Sequence, residues 1–378
     1  MAEITKVHEI EENHNEFYRL DNILKNKCQF YVIFGERSNG KTYACLEHII
    51  SKYVKTGKQG IIFRRWVEDI TKVNGDQMFS GHVSNKIIEK LTGGRWTDVY
   101  YNSRRWYLCR YNEDDFSIEK DDTPFCYIQA LAQVEHNKSV SYPNVTTILF
   151  DEFIPISGQY LTDEWSIFQN SVSTIIRRRD DVEVFLCGNT NARYNNTYFK
   201  NMGLKHALHM KPGTIDLYEY DSKTKVAVEY TMPYINGKNS DKYFAFDNPN
   251  NMIINGEWSL QIYPKRTKEM GRIAKSDIAL IYFIQFEDVI LQCEVIINDR
   301  YRYTYVHKKN TPFKDPDNDI IFSQNYDPRP NWRRKITRVQ DNLCRKLFRF
   351  YQNDEIFYQD NETGDAFESY ITWCNNER

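Results

Sequence analysis

Glycine and proline are scarce in this 378-residue chain, at 16 and 11, which excludes collagen-like and low-complexity classes. No apolar run approaches the roughly 18–20 residues that a bilayer-crossing helix needs. The N-terminal MAEITKVHEIEENHNEF is too acidic and polar for a secretory signal. A soluble, cytosolic protein with no membrane partner is expected. The cysteines Cys28, Cys45, Cys109, Cys126, Cys187, Cys293, Cys344 and Cys374 form no CxxC pair and have mostly apolar neighbours. That pattern points to reduced core positions rather than zinc or a disulfide framework. Neither charge sign dominates, with 50 Lys+Arg against 52 Asp+Glu and a formal net charge of −2, so affinity for nucleic acid must come from local basic patches. What the chain does have is aromatic residues, 27 Tyr and 22 Phe among them. They argue against disorder, and the length suits two domains.

Residues 16–26 are polar with helical character and lead into Gln29-Phe30-Tyr31-Val32-Ile33-Phe34, a short apolar run that reads as a buried strand. A helix is expected from about Gly40 to Tyr53, then a second strand over Gly60–Arg65, which is the β-α-β spacing of a parallel sheet. A hairpin is expected over 97–110. Continuous apolar runs at Val145–Phe150 and Val182–Cys187 fit strands covered on both faces. The expected fold class is therefore α/β, with a first domain over 1–205. Residues 206–254 carry Lys-Pro-Gly, Asn-Gly and Asn-Pro-Asn-Asn punctuation and read as a linker or lid. A separate, smaller α+β domain over 255–378 follows, with strands near 278–286, 289–297 and 301–306, a Pro/Asp-rich loop at 311–330 and a basic helix from about 333 to 351.

The first strand ends in Gly35-Glu36-Arg37-Ser38-Asn39-Gly40-Lys41-Thr42, a full GxxxxGK[ST] match opening a helix. Such a loop wraps phosphates. Gly35 and Gly40 allow the turn that aims N–H groups inward, Lys41 bridges the outer phosphates, and the Thr42 hydroxyl can ligate Mg²⁺. Later, Thr146-Thr147-Ile148-Leu149-Phe150 delivers Asp151 and Glu152 at a strand's C-terminal end, where ligands of such sheets bind. Asp151 is the candidate to hold Mg²⁺ and Glu152 to polarise an attacking water, a carboxylate that a metabolite kinase does not need. Asn189, after the strand 183–187, is a γ-phosphate sensor candidate or an ordinary turn residue. Arg177-Arg178-Arg179 is either a solvated helix end or the source of a transition-state contact across a subunit boundary.

The P-loop through Tyr43-Ala44, the strand end Phe63-Arg64-Arg65 and Ser141-Tyr142-Pro143-Asn144-Val145 running into Phe150-Asp151-Glu152-Phe153-Ile154 together resemble the genome-packaging ATPases of φ29-type tailed bacteriophages. The resemblance is dense over residues 16–200 and thin beyond. It implies a RecA-like, additional-strand ATPase domain with a mostly parallel sheet, and a C-terminal domain with an RNase H-like, vestigial-nuclease fold. It implies ATP and Mg²⁺ as cofactors and a ring motor, a homopentamer, that sits transiently in the host cytoplasm on the portal of a procapsid and translocates double-stranded DNA. A structural packaging RNA is left open as a further partner. Matched position by position, Lys41 and Thr42 are the Walker A residues, Asp151 the Walker B acid, Glu152 the catalytic glutamate and Arg177 the trans-acting finger. Arg37 also matches an arginine of the family and Lys138 a basic residue, while Gly35, Ser38, Asn39 and Gly40 of the loop and the candidate Asn189 are the other positions expected to face the nucleotide. The family's basic residue after the Arg-Arg pair falls here in Trp66-Val67-Glu68-Asp69, which is acidic.

Residues 331–350 hold seven Lys/Arg against one Asp. With Ile336, Val339, Leu343, Leu347 and Phe350 at helical spacing, they read as a helix with one apolar face and a basic remainder. Arg333, Arg334, Arg338 and Arg345 are thus candidates for nucleic-acid phosphates. Asp277, Asp288, Glu294 and Asp299 show no spacing that singles out a nuclease centre. A RecA-type helicase, a nuclease-competent large terminase and a P-loop kinase or switch NTPase remain as alternatives.

Overall fold

The computed structural model describes residues 3–10, 17–112, 115, 117–133, 141–155, 159–190, 196–232 and 263–376. The chain divides into two compact units, Met1–Ser259 and Leu260–Arg378.

The first unit is built on an 11-stranded sheet. Its strands are β1 (Glu3–Glu9), β2 (Phe30–Gly35), β3 (Gln59–Arg64), β4 (Asp98–Asn102), β5 (Arg105–Tyr111), β6 (Ile118–Lys120), β7 (Cys126–Ala130), β8 (Val145–Asp151), β9 (Glu183–Asn189), β10 (Thr214–Glu219) and β11 (Lys225–Tyr230). The order is β1-β10-β11-β2-β9-β8-β3-β7-β5-β4, with β6 beside β5. The six strands from β11 to β7 are parallel, and the outer pairings on each side are antiparallel. The helices are α1 (Asp21–Leu24), α2 (Lys41–Thr56), α3 (Lys72–Gln77), α4 (Ser80–Ser84), α5 (Ile87–Leu91), α6 (Glu164–Ile176) and α7 (Thr197–Asn201).

Successive residues of a strand point to opposite faces, and here both faces are covered. Val32, Phe34, Ile148, Phe150, Val184 and Leu186 pack with Phe168, Val172 and Ile175 of α6. Tyr31, Ile33, Leu149, Phe185 and Cys187 pack with Cys45, Leu46, Ile49 and Ile50 of α2. This three-layer arrangement is why the central strands read as unbroken apolar runs.

One expectation is corrected. Residues 214–230 do not form a linker or lid but supply β10 and β11, and β11 lies directly beside the P-loop strand β2, with Val226 opposite Phe30 and Tyr230 opposite Phe34. The pairing is set by residues nearly 200 positions apart, which no local pattern reveals. The rest of the expected linker, from residue 233, and the position Lys138 lie outside the described residues.

The second unit is α+β, as expected. Its strands are β12 (Ile278–Phe286), β13 (Val289–Ile297), β14 (Arg302–Lys308), β15 (Ile320–Ser323), β16 (Trp332–Arg333) and β17 (Ile356–Tyr358), in the order β16-β15-β12-β13-β14-β17. β12, β13 and β14 form an antiparallel meander, and β15 joins β12 in parallel. Helix α8 (Asn342–Gln352) precedes helix α9 (Asn361–Asn376), whose Ala366, Phe367, Tyr370 and Ile371 are buried.

The basic helix is shorter than its periodicity suggests. Asp341 caps α8 by accepting from the N–H groups of Leu343 and Cys344, so Arg333, Arg334 and Arg338 precede the helix. Ile336 is buried there as a loop residue with its N–H on the Tyr370 hydroxyl, while Val339 is exposed. Among the described residues no helix is long and apolar enough to cross a membrane.

Candidate functional site: a P-loop facing two carboxylates

The sheet brings the P-loop and the acids together because β2, β9 and β8 are adjacent and parallel, so their C-terminal ends share one edge. The loop leaves β2 at Gly35 and enters α2 through Gly40, whose φ of 98° is left-handed and suits glycine. A Cβ on Gly35 would stand 2.2 Å from the Thr231 hydroxyl oxygen, so close approach of the chain after β11 forbids a side chain there. Asn39 is buried, and its amide donates to the Thr231 Oγ1 at 2.8 Å. Arg37 and Ser38 are exposed on the loop.

Lys41 is buried and its ammonium donates to the Glu36 carbonyl and, at 3.2 Å, to Asn39 Oδ1. Burial pulls its pKa down to about 8, because the charged form loses water. The Thr42 hydroxyl donates to Asp151 Oδ1 at 2.8 Å, so the residue after the P-loop lysine and the strand-end acid already touch. Glu152 follows in the left-handed region at φ 60°, a strain of the kind that collects at functional sites. Asn189 ends β9 in register with Gly35, and the Thr190 N–H donates to the Gly35 carbonyl.

Two arginines at the end of β3 complete the site. Arg64 donates to Asp151 Oδ2 at 2.6 Å and to Glu152 Oε2 at 2.9 Å. Arg65 points the other way, into the protein. It makes a two-pronged ion pair with buried Glu164 and donates to the carbonyls of Glu152 and Phe153. One arginine thus meets the two acidic side chains while its neighbour pins the backbone at Glu152 and Phe153. The sequence names this pair only as a strand end. What it lacks is the knowledge that β3 and β8 are neighbours, with Phe63 opposite Phe150.

The three consecutive arginines separate by environment. Arg179 is clamped by the carbonyls of Pro143, Val145 and Ile175 at 2.6–2.9 Å. Arg177 and Arg178 are exposed, and Arg177 donates to the Ser141 hydroxyl at 3.0 Å. All three lie at the end of α6, before β9 begins. The seven-residue β9 therefore separates them from their own P-loop by about 20 Å at ~3.3 Å per residue.

In the second unit, Arg333, Arg334, Lys335 and Arg338 line a cavity of about 470 Å³ with Tyr326 and Trp332. Arg345 is exposed on α8. Among the described residues no three His, Cys, Asp or Glu side chains are grouped to hold a metal; β12 and β15, which pair in parallel, carry no carboxylate, and β13 carries Glu294.

Comparison with known proteins adds the lineage. Residues 13–219 match the family model described as Podovirus DNA encapsidation protein (Gp16). The chain is 26% identical over 185 residues to the DNA packaging protein of Bacillus phage phi29, covering 48% of this chain and 49% of that one. It is 27% identical over 206 residues to the DNA packaging protein of Bacillus phage B103, covering 51% and 57%. The match thus spans about half the length of these curated relatives. In three dimensions it is similar to a chain of the bacteriophage phi29 viral genome packaging motor assembly, at 19% identity and a TM-score of 0.53 over 94% of this chain and 99% of that one. That likeness is one of fold, and its coverage takes in residues of both units. With more than half of its residues inside the family model, the chain belongs to the Podovirus DNA encapsidation protein (Gp16) family.

Proposed function

We propose that this chain is the ATPase of a viral DNA-packaging motor, using ATP hydrolysis to drive double-stranded DNA through the portal of a preformed procapsid. The observation that carries the reading is the meeting of the Thr42 hydroxyl with Asp151, with Glu152 next in the chain, inside the segment that matches the family. A hydroxyl beside a carboxylate is an all-oxygen donor pair suited to Mg²⁺, which when bound neutralises phosphate charge. Lys41, held now by carbonyl oxygens, exchanges them for the β- and γ-phosphates. The N–H groups from Arg37 to Thr42 cradle the phosphate oxygens. Glu152 takes the proton of the attacking water, and Asn189 at the adjacent strand end orients that water. Arg177 acts on the nucleotide of a neighbouring subunit, since its own P-loop is a strand length away. That arrangement requires a ring; the family resemblance supports a pentamer.

Arg333, Arg334, Arg338 and Arg345 supply phosphate contacts to nucleic acid, DNA or a packaging RNA, together with Lys138. The absence of carboxylates on β12 and β15 favours a vestigial rather than an active nuclease. The test is ATP turnover with and without double-stranded DNA. Glu152→Gln should bind ATP and lose about 10²–10⁴ in rate, the worth of a positioned general base, whereas Lys41→Ala should fail to bind. Near wild-type turnover by the Gln variant would remove Glu152 from its role, and indifference to DNA would favour a kinase or switch NTPase.

A further inference from the structure

Within the P-loop, Ser38 and Gly40 both lie in the left-handed region, at φ 65° and 98°, with Asn39 between them. A serine keeps that conformation only where its surroundings fix the backbone, and here they converge on Asn39, which is 2% exposed. Its carbonyl accepts from the Tyr18 N–H at 2.9 Å. Its side-chain amide spans two partners, with Nδ2 donating to Thr231 Oγ1 at 2.8 Å and Oδ1 accepting from the Lys41 ammonium at 3.2 Å. An ammonium can only donate, so it claims Oδ1 and leaves Nδ2 for the hydroxyl. Thr231, Asn39 and Lys41 thus form one buried chain of hydrogen bonds.

Thr231 reaches the loop because of the way β11 runs. Alternate residues of a strand share a face, and Ala227 belongs to the core under α2, so Glu229 and Thr231 follow it on that side. Glu229 accepts from the Tyr18 hydroxyl at 2.8 Å, which ties down the segment that meets the Asn39 carbonyl. The Thr231 N–H donates to the Phe34 carbonyl at 2.9 Å, and its hydroxyl stands over Gly35, where a Cβ would come within 2.2 Å of it. One threonine therefore touches the start of the loop directly and the end of the loop through Asn39.

We infer that Thr231 is a positioning residue for the nucleotide: it fixes the Asn39 amide, and through it the shape of the loop and the direction of Lys41, before phosphate arrives. The inference rests on the phosphate-binding reading of the loop and adds to it a residue 192 positions beyond Asn39, outside the GxxxxGK[ST] motif and past the segment that matches the family model. When Lys41 turns to phosphate oxygens it gives up Asn39 Oδ1, while the bond to Thr231 stays and holds Asn39 between its two left-handed neighbours. Without the hydroxyl, Nδ2 is a buried donor with no partner. The empty loop escapes that cost by rearranging, and nucleotide binding must then restore its shape, so the loss appears as affinity.

The experiment is calorimetric titration of the full chain with ATP and Mg²⁺, beside thermal melts, on wild type, Thr231→Val, Thr231→Ser, Asn39→Ala, the Asn39→Ala/Thr231→Val double variant and Lys41→Ala. Thr231→Val should weaken binding about 5- to 100-fold, whereas Thr231→Ser, which keeps the hydroxyl, should stay within about threefold of wild type. With Asn39→Ala already in place, adding Thr231→Val should change affinity by less than about twofold, because the intermediary is gone. Where valine prevents folding, Thr231→Cys, similar in size and only a weak acceptor, carries the same test. Full affinity in the valine or cysteine protein overturns the inference. So does a serine variant as weak as valine, which would assign the effect to packing of the methyl group, or a valine effect that persists undiminished without Asn39. If the wild type does not bind, or Lys41→Ala binds as tightly as wild type, the phosphate-binding reading itself fails and the role of Thr231 falls with it.

Discussion

Burial lowers the Lys41 pKa to about 8, so, on the phosphate-binding role proposed for it, nucleotide affinity should vary with pH. The charged form binds phosphate, and bound phosphate raises the pKa, so complex formation takes up a proton above pH 8. Affinity should therefore hold between pH 6.5 and 7.5 and fall by up to tenfold per unit above about 8. Titrations in buffers of different ionisation enthalpy would reveal the proton; pH-independent binding to pH 9.5 would refute it. The arginines separate in the same way. Arg179→Ala breaks a cluster of carbonyl contacts and should cost about 1–3 kcal/mol of stability. Arg177→Ala should leave stability within about 0.5 kcal/mol yet remove about 10³–10⁵ in ring-dependent turnover, as loss of an arginine finger does. Thermal melts beside rate measurements decide, and a collapse of turnover caused by Arg178→Ala instead would move the role by one residue. At this scale Lys41, Thr42, Asp151 and Glu152 were legible because each belongs to a contiguous motif. Arg64, which joins the two acids, was not, since its role depends on strand order. Arg65 was hidden for the same reason, and its removal should cost about 3–5 kcal/mol by leaving the Glu164 charge buried and unpaired.

Among elements, α2 is joined to β9 by charge as well as by apolar packing. His48 and Lys52 on the helix meet Glu183 at the start of the strand at 3.1 and 2.8 Å. Burial opposes the Glu183 charge, but the hydrogen bonds and charges of these two partners outweigh it and bring the carboxyl to about 2. A depressed carboxylate stabilises the fold fully above its unfolded pKa near 4.3 and loses that contribution as pH falls from there toward 2. Glu183→Gln should therefore lower stability by about 1–2 kcal/mol at pH 7, with the gap narrowing as unfolding is measured toward pH 3. A constant gap would show that packing alone is involved. The strands β2, β3, β8 and β9 could be read from the sequence because double-sided burial writes an apolar run. The short helices α3 to α5 have no such signature. Each is a turn or two long, and Gly75 of α3 is there for a reason visible only in space, since a Cβ would collide with the Tyr101 ring and its carbonyl accepts from the Trp106 indole.

For the whole molecule, a net charge of only −2 conceals two separate charged features. The P-loop and its acids belong to the first unit, and the cavity lined by four Arg/Lys belongs to the second. Substitutions in the second should therefore affect nucleic-acid binding without changing basal turnover. Arg338→Glu and Arg345→Glu should each weaken binding to double-stranded DNA. If each contacts one phosphate, the slope of log affinity against log salt should fall by about 0.9 per residue. Unchanged slopes in filter binding would leave these side chains as ordinary solvated charge.

The place of β11 beside β2 governs where the chain can be cut. A piece ended at residue 205 would lose the partner of the P-loop strand and leave Phe30–Phe34 as a bare parallel edge with unpaired N–H and carbonyl groups. Such an edge recruits other chains, so that piece should precipitate or form β-rich aggregates on expression. One carried through residue 232 keeps the strand covered and should remain monodisperse. The practical border of the first unit's sheet is thus set by the strand that covers the P-loop strand, some 25 residues beyond the point where its helix and strand alternation ends.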